Sequence, residues 1–125
     1  MYFSQDYLIR QIEIISRYIA EFVFHRKNMD FSLTAENHYE SRNNSDDFLY
    51  LYSLIDKGEI DFAENILYEK IENNKSLDIL ELGLDFYSYL NSKSEEFLET
   101  NNFSRQEIFD GIKDLQDKFG LKGLL

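Results

Sequence analysis

No proline and only five glycines interrupt the 125 residues of this chain, and its apolar side chains return every third or fourth position. That is the period of a helix face rather than of a strand, so the chain reads as all-α. The expected fold is a four-to-six-helix bundle of antiparallel hairpins in one domain, residues 1–125, long enough to bury a core without staples. Eleven phenylalanines and nine tyrosines supply that core, so a net charge of −11 does not mark the chain as disordered.

The first helix is expected over residues 5–27. Leu8, Ile12, Ile15, Ile19 and Phe22 step along it by four and three, a heptad seam, with Ser4 as cap and Phe3 and Leu8 at staple spacing. Tyr7, Ile14 and Tyr18, with Ile9 and Val23, widen the apolar surface beyond that seam. Such a helix is either central in a bundle or paired with a second copy. Residues 28–44 lose the period and collect Asn, Ser and Thr, which predicts a long loop.

Helical hairpins follow over residues 45–120. Ser45 opens a helix with Asp46 and Asp47 in its first turn, and Gly58 ends it. The return helix runs from about Ile60 to Asn73, with small Ala63 at the point of close approach. Ser76 caps a fourth helix through Leu90, and a short helix surrounds Phe97 and Leu98. Phe103, Ser104, Glu107 and Ile108 form a combined capping box and hydrophobic staple for the last, which stops at Gly120.

Chemistry is narrowed mainly by absence. The chain has no cysteine, which removes disulfide frameworks, thiolate nucleophiles and cysteine-bound zinc, and suits the cytoplasm. MYFSQDYLIRQ lacks the basic-then-apolar order of a signal peptide, and charges break every apolar run before it reaches membrane length. Residues 30–125 carry nine bases against twenty-one acids, which disfavours nucleic acid as a partner.

No phosphate-cradling, dinucleotide, esterase-elbow or zincin motif occurs, and DKGEID from Asp56 lacks the oxygen pattern of a calcium loop. No cofactor is implied. The two histidines, His25 and His38, leave one candidate metal or small-ligand region, with Glu21 four residues before His25. Tyr50, Tyr52 and Tyr87 are the candidates for a contact surface, since surface tyrosine covers area at little entropy cost.

The opening SQDYLIRQIEIISRYIA and the later FYSYLNSKSEEFLETNNFSRQEIFDGIKDL resemble a family of small bacterial proteins known only as a domain of unknown function. The resemblance implies an all-helical fold and no assigned activity. It marks Asp6, Arg10 and Glu13 as recurring polar positions of the first helix, and Phe103, Ser104 and Glu107 as the last helix's cap. Leu54, Gly58, Ala63 and Leu67 also give the middle hairpin a tetratricopeptide-like look, but 34 residues on stand Ser88, Ser92, Phe97 and Asn101, and no array follows.

The expected role is therefore a non-enzymatic, cytoplasmic protein–protein interaction or adaptor domain, with Leu8, Ile12, Ile15, Ile19 and Phe22 as a seam for a homodimer or a core. One alternative is a small metal- or ligand-binding protein with its site near His25 and His38. Another is an acidic inhibitor of a basic partner.

Overall fold

In the computed structural model the described residues, 4–33 and 45–121, form six helices and no strand: α1 (Gln5–Leu33), α2 (Ser45–Asp56), α3 (Ile60–Asn73), α4 (Leu77–Asn91), α5 (Glu95–Thr100) and α6 (Arg105–Lys118). None of them is long and apolar enough to cross a membrane.

Local chemistry sets the helix starts. Ser4 Oγ accepts from Tyr7 N–H at 3.1 Å, Ser76 Oγ from Ile79 N–H at 3.3 Å and Ser94 Oγ from Phe97 N–H at 3.0 Å. At α6 the capping box closes in both directions: Ser104 N–H donates to Glu107 Oε2 at 2.7 Å, and Glu107 N–H to Ser104 Oγ at 3.1 Å. Phe103 and Ile108 beside it are both buried, as a staple requires. Phe3, expected to staple α1, lies outside the described residues.

Gly58 ends α2 in the left-handed region, φ 85°, where only glycine sits without strain. Glu59 N–H reaches back to Leu54 O at 2.9 Å across it. A side chain there would also strike Asn101, whose Oδ1 lies 2.1 Å from where a Cβ would stand. Asn102 ends α5 in the same backbone region at φ 57°, a position that asparagine tolerates.

Two expectations need correction. The first helix does not stop at Lys27 but runs to Leu33, 29 residues or about 44 Å. Residues 28–33, NMDFSL, hold no glycine or proline to end it; loss of a heptad period changes which face is apolar, not whether the backbone stays helical. Residues 34–44 of the expected loop lie outside the described residues. Second, α1 is not the centre of the bundle. That place belongs to α4, which packs against α1, α2, α3 and α6 and therefore buries side chains around most of its circumference.

The α1 seam is spent inside the chain. Leu8, Ile12, Ile15 and Ile19 are all at or below 3% exposure, and Phe22 packs at the core's edge, on a helix whose neighbours are α4 and α6. Each fully buried side chain of this kind stabilises by roughly 1.5–3 kcal/mol. Four of the five seam residues thus have almost no surface left to offer a second copy. Of the flanking set, Val23 is buried and Ile9 and Ile14 partly so, while Tyr7 and Tyr18 are exposed.

Helices α4 and α6 meet at two reciprocal contacts. A Cβ on Gly83 would lie 2.8 Å from Leu115 Cδ1, and one on Gly111 would lie 2.4 Å from the Tyr87 ring. Each helix thus offers a bare backbone where the other places a large side chain, and pairing 83 with 115 and 87 with 111 makes the contact antiparallel. Register between the two helices is fixed by shape.

Arg105 locks the end of that pair. Its side chain is 2% exposed, and its nitrogens donate to Asn91 O (2.7 Å) and Oδ1 (2.9 Å), Lys93 O (3.0 Å), and Glu95 Oε1 through both Nε (2.9 Å) and Nη2. All five N–H groups of the guanidinium are used. The clamp joins the exit of α4, the start of α5 and the start of α6.

Arg105→Met is therefore expected to lower unfolding free energy by about 2–4 kcal/mol, because it leaves the Asn91 and Lys93 carbonyls without their donors. Arg105→Lys is expected to recover less than half, since one ammonium cannot span partners on three residues. Urea unfolding followed by circular dichroism measures both.

Candidate functional site

The tyrosines singled out in the sequence do not share a surface. Tyr50 is half exposed on α2. Tyr52 stacks on Tyr89 with ring centroids 4.2 Å apart and planes at 14°. Tyr89 in turn donates to Asp56 Oδ1 at 2.6 Å, which Lys93 Nζ also meets at 2.6 Å. The Lys93 ammonium, and then the Tyr89 hydroxyl, hold the Asp56 carboxyl below the usual carboxylate range. This patch ties α2 to α4, and its polar groups are already paired.

Tyr87 is a correction: it is fully buried and cannot serve as a surface contact. Helix α4 is packed on four neighbours, so the part of its surface carrying Phe86 and Tyr87 goes inward.

Burying Tyr87 builds the first candidate site. Its ring crosses the bare backbone of Gly111, and its hydroxyl donates to Glu64 Oε2 at 2.6 Å. The Tyr68 hydroxyl lies 3.1 Å from the Tyr87 hydroxyl. Helices α3 and α6 each pack on α4 more closely than on each other, leaving a cavity of about 300 Å³ lined by Glu64, Tyr68, Glu107, Asp110, Gly111 and Asp114. Glu64 and Tyr68 are one turn apart on α3; Glu107, Asp110 and Asp114 are spaced three and four along α6. Helical period therefore sets four carboxylates and a phenol around one opening.

The electrostatics are those of an under-neutralised site. Burial raises the Glu64 carboxyl above its ordinary range; the Tyr87 hydrogen bond opposes this, and Asp61 and Glu107 add to it. Burial, then the Glu64 carboxylate, pushes the Tyr87 phenol far above its usual range and keeps it a donor. Among the described residues one cation reaches the rim: Lys118 Nζ is 3.3 Å from Asp114 Oδ2 and 5.7 Å from the centroid of the Tyr68 ring. The opening thus already receives an ammonium between a carboxylate and an aromatic face.

A second opening, of about 430 Å³, lies between α1 and α4, where Glu13, Ser16 and Arg17 face Asp85, Ser88 and Asn91. Burial, then the nearby Glu81, raises the Asp85 carboxyl to about 6, with Lys27 opposing.

Glu21 and His25 are both exposed on α1, His38 lies outside the described residues, and among the described residues no three carboxylate or imidazole side chains converge as a metal would need. Glu64, Asp110 and Asp114 are not among the candidates that the sequence suggests. The signal available was the spacing of Glu107, Asp110 and Asp114, which places three acids on one face of the helix most plainly delimited by its caps.

Residues 2–120 match a family described as a family of unknown function, DUF6483. No curated protein and no solved structure matches the chain.

The Glu64 environment makes a pH prediction. A carboxyl whose folded pKa is raised binds its proton more tightly in the native state, so its contribution to stability is full below the unfolded value and is lost as pH rises through the folded one. Glu64→Gln still accepts from Tyr87 and has no proton to lose. Relative to the parent, this variant is expected to gain stability between about pH 4.5 and 7. Thermal melts across that interval measure the difference; parallel curves contradict it.

Proposed function

The chain belongs to the family of unknown function DUF6483, and from that premise we propose that it is a non-catalytic binding module whose cavity between α3 and α6 takes a cationic side chain of a protein partner. The observation that carries this reading is Lys118 at the rim, its ammonium between Asp114 and the Tyr68 face, beside three further carboxylates that form no ion pair among the described residues.

A guanidinium suits the opening better than an ammonium. Its flat fork meets two carboxylates at once and stacks on a phenol ring. Entry of that charge relieves the repulsion felt by Glu64, so binding energy comes from groups the free protein holds at a cost. The remaining acidic surface steers a basic segment toward the site and makes the encounter sensitive to salt.

A binding rather than a catalytic role is supported by how the polar groups are committed. The Tyr87 phenol is fixed as a donor to Glu64, Glu107 also caps α6 through Ser104, and Asp110 accepts from Gln106 at 3.0 Å. These are held orientations, suited to recognition. The lack of cysteine supports a cytoplasmic setting for such a module.

Panning a random heptapeptide phage library against the protein at low salt tests the reading. Enriched peptides are expected to share an arginine, and their affinity for the Asp110→Asn, Asp114→Asn double variant is expected to be about tenfold weaker. Enrichment of peptides without a basic residue, or equal affinity for the double variant, overturns it.

A further inference from the structure

The opening between α1 and α4 carries polar groups with no partner among the described residues. The Ser16 hydroxyl oxygen is buried and has no hydrogen-bond partner among the described residues. Serine inside a helix ordinarily bonds back to the carbonyl one turn before it, and a buried hydroxyl left alone costs on the order of 1–3 kcal/mol. Ser16 stands on the α1 wall of this opening.

Across that space Asp85 is more than half buried yet forms no ion pair among the described residues. The nearest cation, Lys27, is spent on its neighbours: Nζ lies 2.7 Å from Glu81 Oε1 and 3.2 Å from Asp78 Oδ1. On the α1 wall Arg17 forms no ion pair among the described residues either, although Glu13 stands one turn before it on the same helix. At the end of the opening, Asn91 gives its side-chain oxygen to Arg105 at 2.9 Å, which fixes the amide and leaves its two N–H donors for other use.

A half-buried carboxylate on one wall, an uncommitted guanidinium on the other, and hydroxyl and amide groups between them describe a ligand with both charges. We infer that this opening binds a free α-amino acid, its ammonium on Asp85 and its carboxylate on Arg17. The Asn91 amide donors meet the carboxylate's remaining acceptors. Leu84 and Ala20 line the same space and leave room for an apolar side chain, and about 430 Å³ holds a small amino acid with water around it. Glu13 adds a second acceptor for the ammonium and favours a ligand that is not itself anionic.

The site is separate from the cavity between α3 and α6 and shares no lining residue with it. Its test therefore stands apart from peptide binding. Titrating the ¹⁵N-labelled protein with each proteinogenic L-amino acid, and following amide shifts, is expected to find at least one ligand with Kd below about 1 mM and shifts centred on Ser16, Arg17, Asp85 and Asn91. The N-acetyl and C-terminal amide forms of that ligand each remove one charge and are expected to bind at least about tenfold more weakly.

Asp85→Asn and Arg17→Gln are expected to weaken the free amino acid by a similar factor while leaving the protein folded, because neither residue holds an ion pair in the core. No shift with any amino acid, shifts centred elsewhere, or equal binding of the N-acetyl form overturns the proposal.

Discussion

The contact on which the rest of this molecule depends is the antiparallel meeting of α4 and α6, where Gly83 lies under Leu115 and Gly111 under Tyr87. Protein interiors are packed too tightly to slide past such a pair, so the two glycines set both distance and register. Once register is set, Tyr87 has one direction in which to send its hydroxyl, and Glu64 on α3 is what it meets. Arg105 then holds the corner from which α6 departs. The candidate cavity is a consequence of that geometry: α3 and α6 both rest on α4 and leave a gap between themselves.

Charge is arranged in two ways around this frame. Where α2 meets α4, Asp56, Tyr89 and Lys93 neutralise one another and simply join helices. Between α3 and α6 the acids are gathered without equal neutralisation, and burial makes their mutual repulsion count for more than it would on an open face. A chain selected only for stability gains nothing from that second arrangement. It gains if a cation arrives from outside.

Features set by short-range chemistry were legible in the sequence. Ser104 and Glu107 specify a helix start within four residues, Gly58 a stop within two, and the return helix from Ile60 to Asn73 follows from the spacing of Ala63, Leu67 and Ile71. Features set by which helix becomes central were not. Tyr87 and Tyr50 are both tyrosines on helices beside aromatic neighbours, and only the position of α4 between four other helices sends one inward. Arg105 was hidden for a related reason: a lone arginine after a cap reads as surface charge until the chain ends that surround it are placed. The seam of α1 was plain as a pattern, but its partner, α4 and α6 rather than a second copy, is a matter of tertiary packing. The extension of α1 to Leu33 is not legible because the composition changes after Lys27 while the backbone stays helical.

Glu64 reports on the central claim most directly, because burial, Tyr87 and the neighbouring acids all act on its one proton. A ¹³C NMR titration of its side-chain carboxyl, run with and without N-acetyl-L-arginine amide, supplies a single guanidinium and no other charge. A midpoint above the ordinary glutamate range in the free protein, falling when the guanidinium is added, is the result predicted for a cavity built to accept a cation. A midpoint within or below the ordinary range, or one that arginine amide leaves in place, contradicts it.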